Sequence, residues 1–188
     1  MQSEDIETLT LRGDEKALRS LIEKRIYPPS SFPLNTAAGH GLLNIVKLFV
    51  EEAKCNINQK DLDNMTPLAM ACWRNRHLVV QYLCSFQNIE LNIKFTRAEN
   101  TCLHIAAMYG YHDIVQCLLK YGAEKTLVNY YWRTAEDEAL KRGYTDLASF
   151  ISRFELGMAI KLKLKRQILE QDTYSEYHLS DISLIAVS

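Results

Sequence analysis

Between Asn100 and Val128 the apolar positions follow two successive helical registers. Leu103, Ala106 and Ala107 fall on one side of a short first helix, Gly110 interrupts it, and Ile114, Val115, Leu118 and Leu119 recur at i, i+1, i+4, i+5 along a second. Gly122, following Tyr121, supplies a residue able to take the left-handed conformation that closes a helix. One such pair cannot bury its own apolar side. Two small alanines admit a close neighbour, and four larger apolar residues need partners on both flanks, so the pattern asks for copies of itself.

The copies are present. Phe32-Pro33-Leu34-Asn35, Thr66-Pro67-Leu68-Ala69, Thr101-Cys102-Leu103-His104 and Thr134-Ala135-Glu136-Asp137 open successive first helices at a spacing of about 33 to 35 residues. Each is followed by an apolar pair: Ile45-Val46, Val79-Val80, Ile114-Val115 and, degenerate, Leu147-Ala148. In these residues the chain resembles the ankyrin family, whose T-P-L-H-x-A pattern is best kept in Thr66-Pro67-Leu68 and in Thr101, Leu103, His104 and Ala106. The resemblance covers roughly residues 4 to 151 and implies an all-α solenoid of stacked helix-turn-helix units with hairpin-like finger loops.

Taken in order, residues 4–25 read as a half-repeat cap, with Ala17, Leu18, Leu21 and Ile22 as an apolar stripe and charged residues around it. Tyr27 to Ser31 is a proline-bearing connector. Units are expected over about 27–58, 61–92, 96–126 and 129–151, so that the array fills 1–151. Phe32 and Asn35 replace the threonine and histidine of the second unit's opening turn, which predicts an irregular turn there. Asn75 stands where a glycine is usual between the helices of the third unit, and asparagine is the next best residue for a left-handed turn. The connector from Ser85 to Asn100 is about two residues longer than the period. Glu136-Asp137-Glu138 makes the last first helix polar, as suits a solvated cap. Leu147, Ile151, Phe154, Met158 and Leu162 predict a final helix running on to about Glu170, giving a helical extension over 152–173 and a flexible tail over 174–188.

Composition narrows the function classes. The 188 residues are 47% apolar and carry a net charge of -1, which gives no reason to expect nucleic acid. No stretch approaches a membrane span, and the acidic start lacks the form of a leader peptide. Location is expected to be cytoplasmic or nuclear, with export as an effector without a cleaved signal as the alternative. The five cysteines show no Cys-x-x-Cys spacing and read as free, mostly buried thiols. Histidines 40, 77, 104, 112 and 178 are scattered, and His112 and Cys117 are about 140° apart around one helix, too far to act as a dyad. With no metal-ligand spacing and no glycine-rich phosphate loop, no cofactor, no metal and no catalytic residue is expected.

What remains is a surface for a protein partner. The resemblance implies that finger tips and the exposed side of the first helices form a concave binding face. Its variable positions are Pro28, Pro29, Ser31 and His40; Leu62, Asp63, Met65, Trp73 and Arg74; Arg97, Ala98, Asn100, Met108 and Tyr109; and Tyr130, Tyr131, Arg133, Lys141 and Arg142, with Trp132 in place of the finger glycine. Aromatic, methionine and arginine side chains recur among them, and such residues commonly anchor interfaces. The partner-binding set is therefore Met65, Trp73, Arg74, Arg97, Met108, Tyr109, Tyr130, Tyr131, Trp132, Arg133 and Arg142. It implies a non-enzymatic adaptor, inhibitor or targeting subunit, monomeric by itself, that binds a protein or peptide of acidic and apolar character. The alternative is a regulatory or scaffold subunit whose basic run Lys161 to Arg166 docks to a partner groove or an acidic membrane.

Overall fold

Residues 5–25 and 33–154 are described by a computed structural model of the chain. They belong to the first of two units, whose boundary follows Phe154. The connector over 27–31, the basic run 161–166, the expected extension beyond Phe154 and the expected tail 174–188 lie outside the described residues.

Five helix pairs follow one another: α1 (Ile6–Arg12) and α2 (Glu15–Glu23), α3 (Leu34–His40) and α4 (Leu43–Lys47), α5 (Pro67–Trp73) and α6 (His77–Cys84), α7 (Cys102–Met108) and α8 (His112–Lys120), α9 (Ala135–Lys141) and α10 (Thr145–Arg153). A left-handed residue turns the chain inside every pair. Glycine does this in four of them, and Asn75, at φ 57, does it in the third. First helices pack on first helices from α1 through α3, α5 and α7 to α9, and α4, α6 and α8 form the second layer behind them. The architecture is the expected all-α stack of helix-turn-helix units.

Side-chain size explains the layering. Ala37-Ala38, Ala71-Cys72 and Ala106-Ala107 are all buried and let neighbouring first helices approach closely. Ile45, Val46, Val79, Val80, Leu83, Ile114, Val115, Leu118 and Leu119 fill the second layer. Burying each of the larger ones stabilises the stack by about 1.5–3 kcal/mol before conformational entropy is counted. In the half-repeat Leu18 is fully buried while Leu11 is exposed, the asymmetry of a terminal unit.

Three helix starts share one cap. The Thr66, Thr101 and Thr134 hydroxyls accept from the backbone N–H groups of Ala69, His104 and Asp137. Helix α3 starts at Pro33 with no side-chain cap, in line with the irregular turn expected there. Helix α4 continues as a π-helical turn, Leu48–Glu52, in which Ala53 N–H reaches back to the Leu48 carbonyl at 3.1 Å. The chain takes one more residue from Gly41 to the left-handed Lys54 than from Gly110 to the left-handed Gly122, and the wider turn absorbs it.

Two expectations are corrected. Glu138 is only 2% exposed: its carboxylate accepts from Asn129 Nδ2 at 2.9 Å and pairs with Arg133 at 3.5 Å, so the polar α9 holds a finger in place instead of facing solvent throughout. Helix α10 closes at Arg153 and Phe154 is extended, so the helix does not continue unbroken toward Glu170. The Lys125 ammonium donates to the carbonyls of Ile151, Ser152 and Phe154 at 3.2, 2.7 and 3.0 Å, satisfying acceptors that a further turn would have used.

Candidate functional site

Three finger loops sit between successive helix pairs, and their geometry follows from short polar side chains. In the third unit the Asp61 carboxylate accepts from the N–H groups of Asp63 (3.0 Å) and Met65 (2.9 Å), while Asp61 N–H donates to the Met65 carbonyl at 3.0 Å. Asn129 repeats this in the fifth, accepting from Tyr131 N–H at 3.0 Å and Arg133 N–H at 3.2 Å. Thr96 does so more weakly in the fourth, where its hydroxyl accepts from Ala98 N–H at 3.3 Å. That finger is one residue longer, closing from Phe95 N–H to the Asn100 carbonyl at 2.9 Å, which locates part of the expected insertion. Each tip needs a left-handed residue, supplied by Asn64 (φ 61), Glu99 (φ 53) and Trp132 (φ 57), and the longer finger of the fourth unit has a second in Thr96 (φ 66).

Neighbouring units are tied at the finger bases. His104 Nε2 bonds the Arg133 carbonyl at 2.9 Å while its Nδ1 accepts from Thr101 N–H at 3.3 Å, the arrangement of a neutral imidazole protonated at Nε2. Burial holds the pKa of this ring below the usual imidazole value. Asn35, at the same position of its unit, donates to the Met65 carbonyl at 2.8 Å, so an amide replaces the imidazole in the same task. Tyr130 N–H donates to the Ala98 carbonyl at 2.9 Å and joins the fourth and fifth fingers.

Against this frame lies a groove of about 630 Å³ whose lining includes Asp61 to Met65, Met70, Trp73, Arg74, Thr96 and Arg97. Trp73 is 39% exposed and meets Tyr109, 43% exposed, edge to face at 6.2 Å between ring centres. Tyr109 stacks in turn on Tyr111 at 5.6 Å. Arg74 and Arg97 are exposed beside these rings, without a salt bridge among the described residues. The tip of the fifth finger exposes Tyr130, Tyr131 and Trp132, the last at 84%.

The structure therefore brings Trp73, Arg74 and Arg97 together at one groove, with Tyr109 against Trp73. It places Tyr130, Tyr131 and Trp132 on another finger, Arg142 exposed at the end of α9, and Met108 partly buried. Met65 departs from the expected exposed anchor: it is 9% exposed and belongs mainly to the core. Arg133 lies partly buried over the Tyr131 ring at 5.3 Å and pairs with Glu138, so it braces the finger. Asn100 is also buried, its side-chain oxygen accepting from Asn129 Nδ2 at 2.9 Å. Pro28, Pro29 and Ser31 lie outside the described residues. Met70, missed from the sequence, lines the groove, and only its helical register, three residues before Trp73, pointed there.

Among the described residues no group of three His, Cys, Asp or Glu side chains is placed to hold a metal ion, and no helix is long and apolar enough to cross a membrane. Cys55, Cys72, Cys84 and Cys102 are buried thiols and Cys117 is partly buried. Burial pushes the Cys55 pKa up to about 12, far from a reactive thiolate.

Comparison with known proteins agrees with this geometry. The family described as "Ankyrin repeats (3 copies)" matches residues 8–95, and "Ankyrin repeat" matches residues 99–130. Synphilin-1 of Mus musculus is 25% identical over 146 residues, 74% of this chain and 15% of that protein. Palmitoyltransferase AKR1 of Lachancea kluyveri is 33% identical over 95 residues, 50% of this chain and 13% of that protein. Alpha-latrotoxin-Lg1a of Latrodectus geometricus is 27% identical over 111 residues, 58% of this chain and 8% of that protein. The chain thus spans between 8 and 15% of the length of these relatives.

Proposed function

The chain belongs to the ankyrin-repeat family, whose domains are in general non-catalytic modules for contact between proteins, and from that premise we propose that it binds an extended protein segment of acidic and apolar character. The segment lies in the groove between the third and fourth fingers, with the aromatic fifth finger as a second contact. Its role is that of an adaptor, inhibitor or targeting subunit, and the three named relatives lend it none of their individual activities.

The observation that carries this reading is the pairing of Trp73 with Arg74 and Arg97 at one groove. An exposed indole leaves apolar area in water, and two exposed guanidinium groups without a salt bridge among the described residues keep donors free for a partner. A segment with a large apolar side chain flanked by Asp or Glu satisfies both at once. The groove also presents Asp61 and Asp63, but the Asp61 carboxylate is already occupied by backbone N–H groups, so the basic wall has more free bonding capacity.

Panning a displayed random-peptide library against the intact chain tests the reading. The expected winners carry acidic residues beside a large apolar one, and the Trp73→Ala/Tyr109→Ala double variant loses them with an unchanged melting temperature. Each truncation weakens binding by about 2 kcal/mol. Winners without that bias, or equal binding to the double variant, defeat the proposal. A pull-down from lysate with the same pair of proteins then identifies the natural partner.

A further inference from the structure

The charges around the groove do not all balance in place. Asp61 Oδ1 is taken by the N–H groups of Asp63 and Met65, and its Oδ2 accepts from Asn35 Nδ2 at 3.3 Å. Lys94 and Glu99 neutralise each other within the fourth finger at 3.1 Å. Asp63 on the third finger, Arg97 on the fourth and Arg74 at the end of α5 are all exposed, line the groove and form no salt bridge among the described residues. Resting on the reading of this groove as a peptide site, we propose that its occupant carries charge of both signs. A Lys or Arg of the segment is set against Asp63, an Asp or Glu against Arg97 and Arg74, and the large apolar side chain between them rests on Trp73 and Met70.

The signs are separated by the elements that carry them. The free carboxylate belongs to the third finger and a free guanidinium to the fourth, while α5 supplies Met70 and Trp73, and the fully exposed Leu62 extends the apolar lining on the third-finger side. No salt bridge joins Asp63 to either arginine, so the two fingers keep their charges available instead of cancelling them. Both fingers are also fixed before anything binds. Asn64 Nδ2 donates to the Lys94 carbonyl at 3.0 Å and ties the tip of the third finger to the base of the fourth, and the Asp61 carboxylate holds that tip from within. Preorganised charges of opposite sign discriminate between partners at small entropic cost. A purely acidic segment satisfies Arg74 and Arg97 but brings like charge against Asp63, and a purely basic one does the reverse. A segment with a cation on one side of its apolar anchor and an anion on the other meets all of these groups at once.

Panning a displayed random-peptide library against the intact chain and, separately, against Asp63→Asn tests this. Winners on the intact chain are expected to carry a Lys or Arg besides the acidic and large apolar residues, and winners on Asp63→Asn to keep the acidic and apolar residues but lose the cation. A synthetic peptide copying one wild-type winner should bind Asp63→Asn about threefold more weakly. Replacing its cation by Ala should weaken binding to the intact chain by the same factor and leave binding to Asp63→Asn unchanged, the mark of a direct pairing. Asp63→Ser, read in parallel with its melting temperature, guards against poor folding of one variant. Acidic and apolar winners without a cation, a cation retained on Asp63→Asn, or equal affinity of the winner for both proteins overturn this inference and leave the groove standing as a peptide site. Winners with neither acidic nor apolar bias defeat the reading beneath it.

Discussion

Trp132 is held in left-handed backbone at φ 57 with most of its indole in water. A non-glycine residue in that region costs about 1–2 kcal/mol, and an exposed ring returns little of it. The finger tolerates this because Asn129 ties both flanking N–H groups and is itself anchored by Glu138 and Asn100. Trp132→Gly is therefore expected to raise stability by about 1 kcal/mol in urea denaturation while weakening partner binding. Loss of stability in that variant shows that the ring packs onto the body. His104 gives a prediction in pH. Its folded-state pKa lies below the unfolded value of 6.5, so the unfolded chain takes up the proton first as pH falls. The stability contributed by the neutral ring is complete above about pH 6.5 and is lost as pH drops from there toward the folded value. His104→Asn, copying Asn35, should keep the bond to Arg133 and flatten this loss, read as the difference in melting temperature between about pH 7.5 and about pH 5.5. From sequence alone the Asn35 exchange reads as a lost histidine. Its equivalence emerges only when the Met65 carbonyl is seen within reach of an amide that offers the same donor.

At the scale of the element, apolar spacing located all four second helices of the full units, because each stripe has to pack against the rest of the stack. Helix ends were much less legible. Spacings of three to four continue past Phe154, but the α10 carbonyls are claimed by Lys125, far away in sequence, and no local pattern announces such a partner. Lys125→Met retains the stem and removes three charge-assisted donors, so a loss of about 1–3 kcal/mol is expected in chemical denaturation. Hydrogen exchange should show the loss first at α10. An unchanged midpoint and unchanged protection mean that water caps the helix equally well. The π-helical turn after α4 has the same origin: the sequence carries an extra residue, but whether it widens a helix or lengthens a loop is decided by the burial of Leu48, Phe49 and Val50 in a turn that packs on α2 of the preceding unit. The positions of the candidate site residues were legible for a related reason and to a similar degree. The repeat register places Trp73, Arg74, Arg97 and Tyr109 correctly on the finger and first-helix side. It cannot say that the Met65 side chain turns into the core, or that Arg133 is engaged by a carboxylate from α9.

For the whole described unit, stability and binding ought to separate along the stack, since each helix pair contacts only its neighbours and the stack behaves as a one-dimensional array. Leu18 belongs to the terminal half-repeat and is fully buried, whereas the groove is built from the third and fourth units and the aromatic finger from the fifth. Leu18→Ala opens a cavity at one end and is expected to cost about 2–5 kcal/mol. That cost falls on the local unfolding of α1 and α2, so hydrogen exchange should accelerate there while α7 and α8 stay protected. The affinity for a peptide selected on the intact chain should be the same within error, because no contact to that peptide comes from the damaged end. Trp73→Ala is expected to do the reverse, leaving exchange unaltered and reducing affinity. If Leu18→Ala instead unfolds the stack in one step and abolishes binding, the array is a single cooperative block, and the groove depends on the terminal cap for its shape.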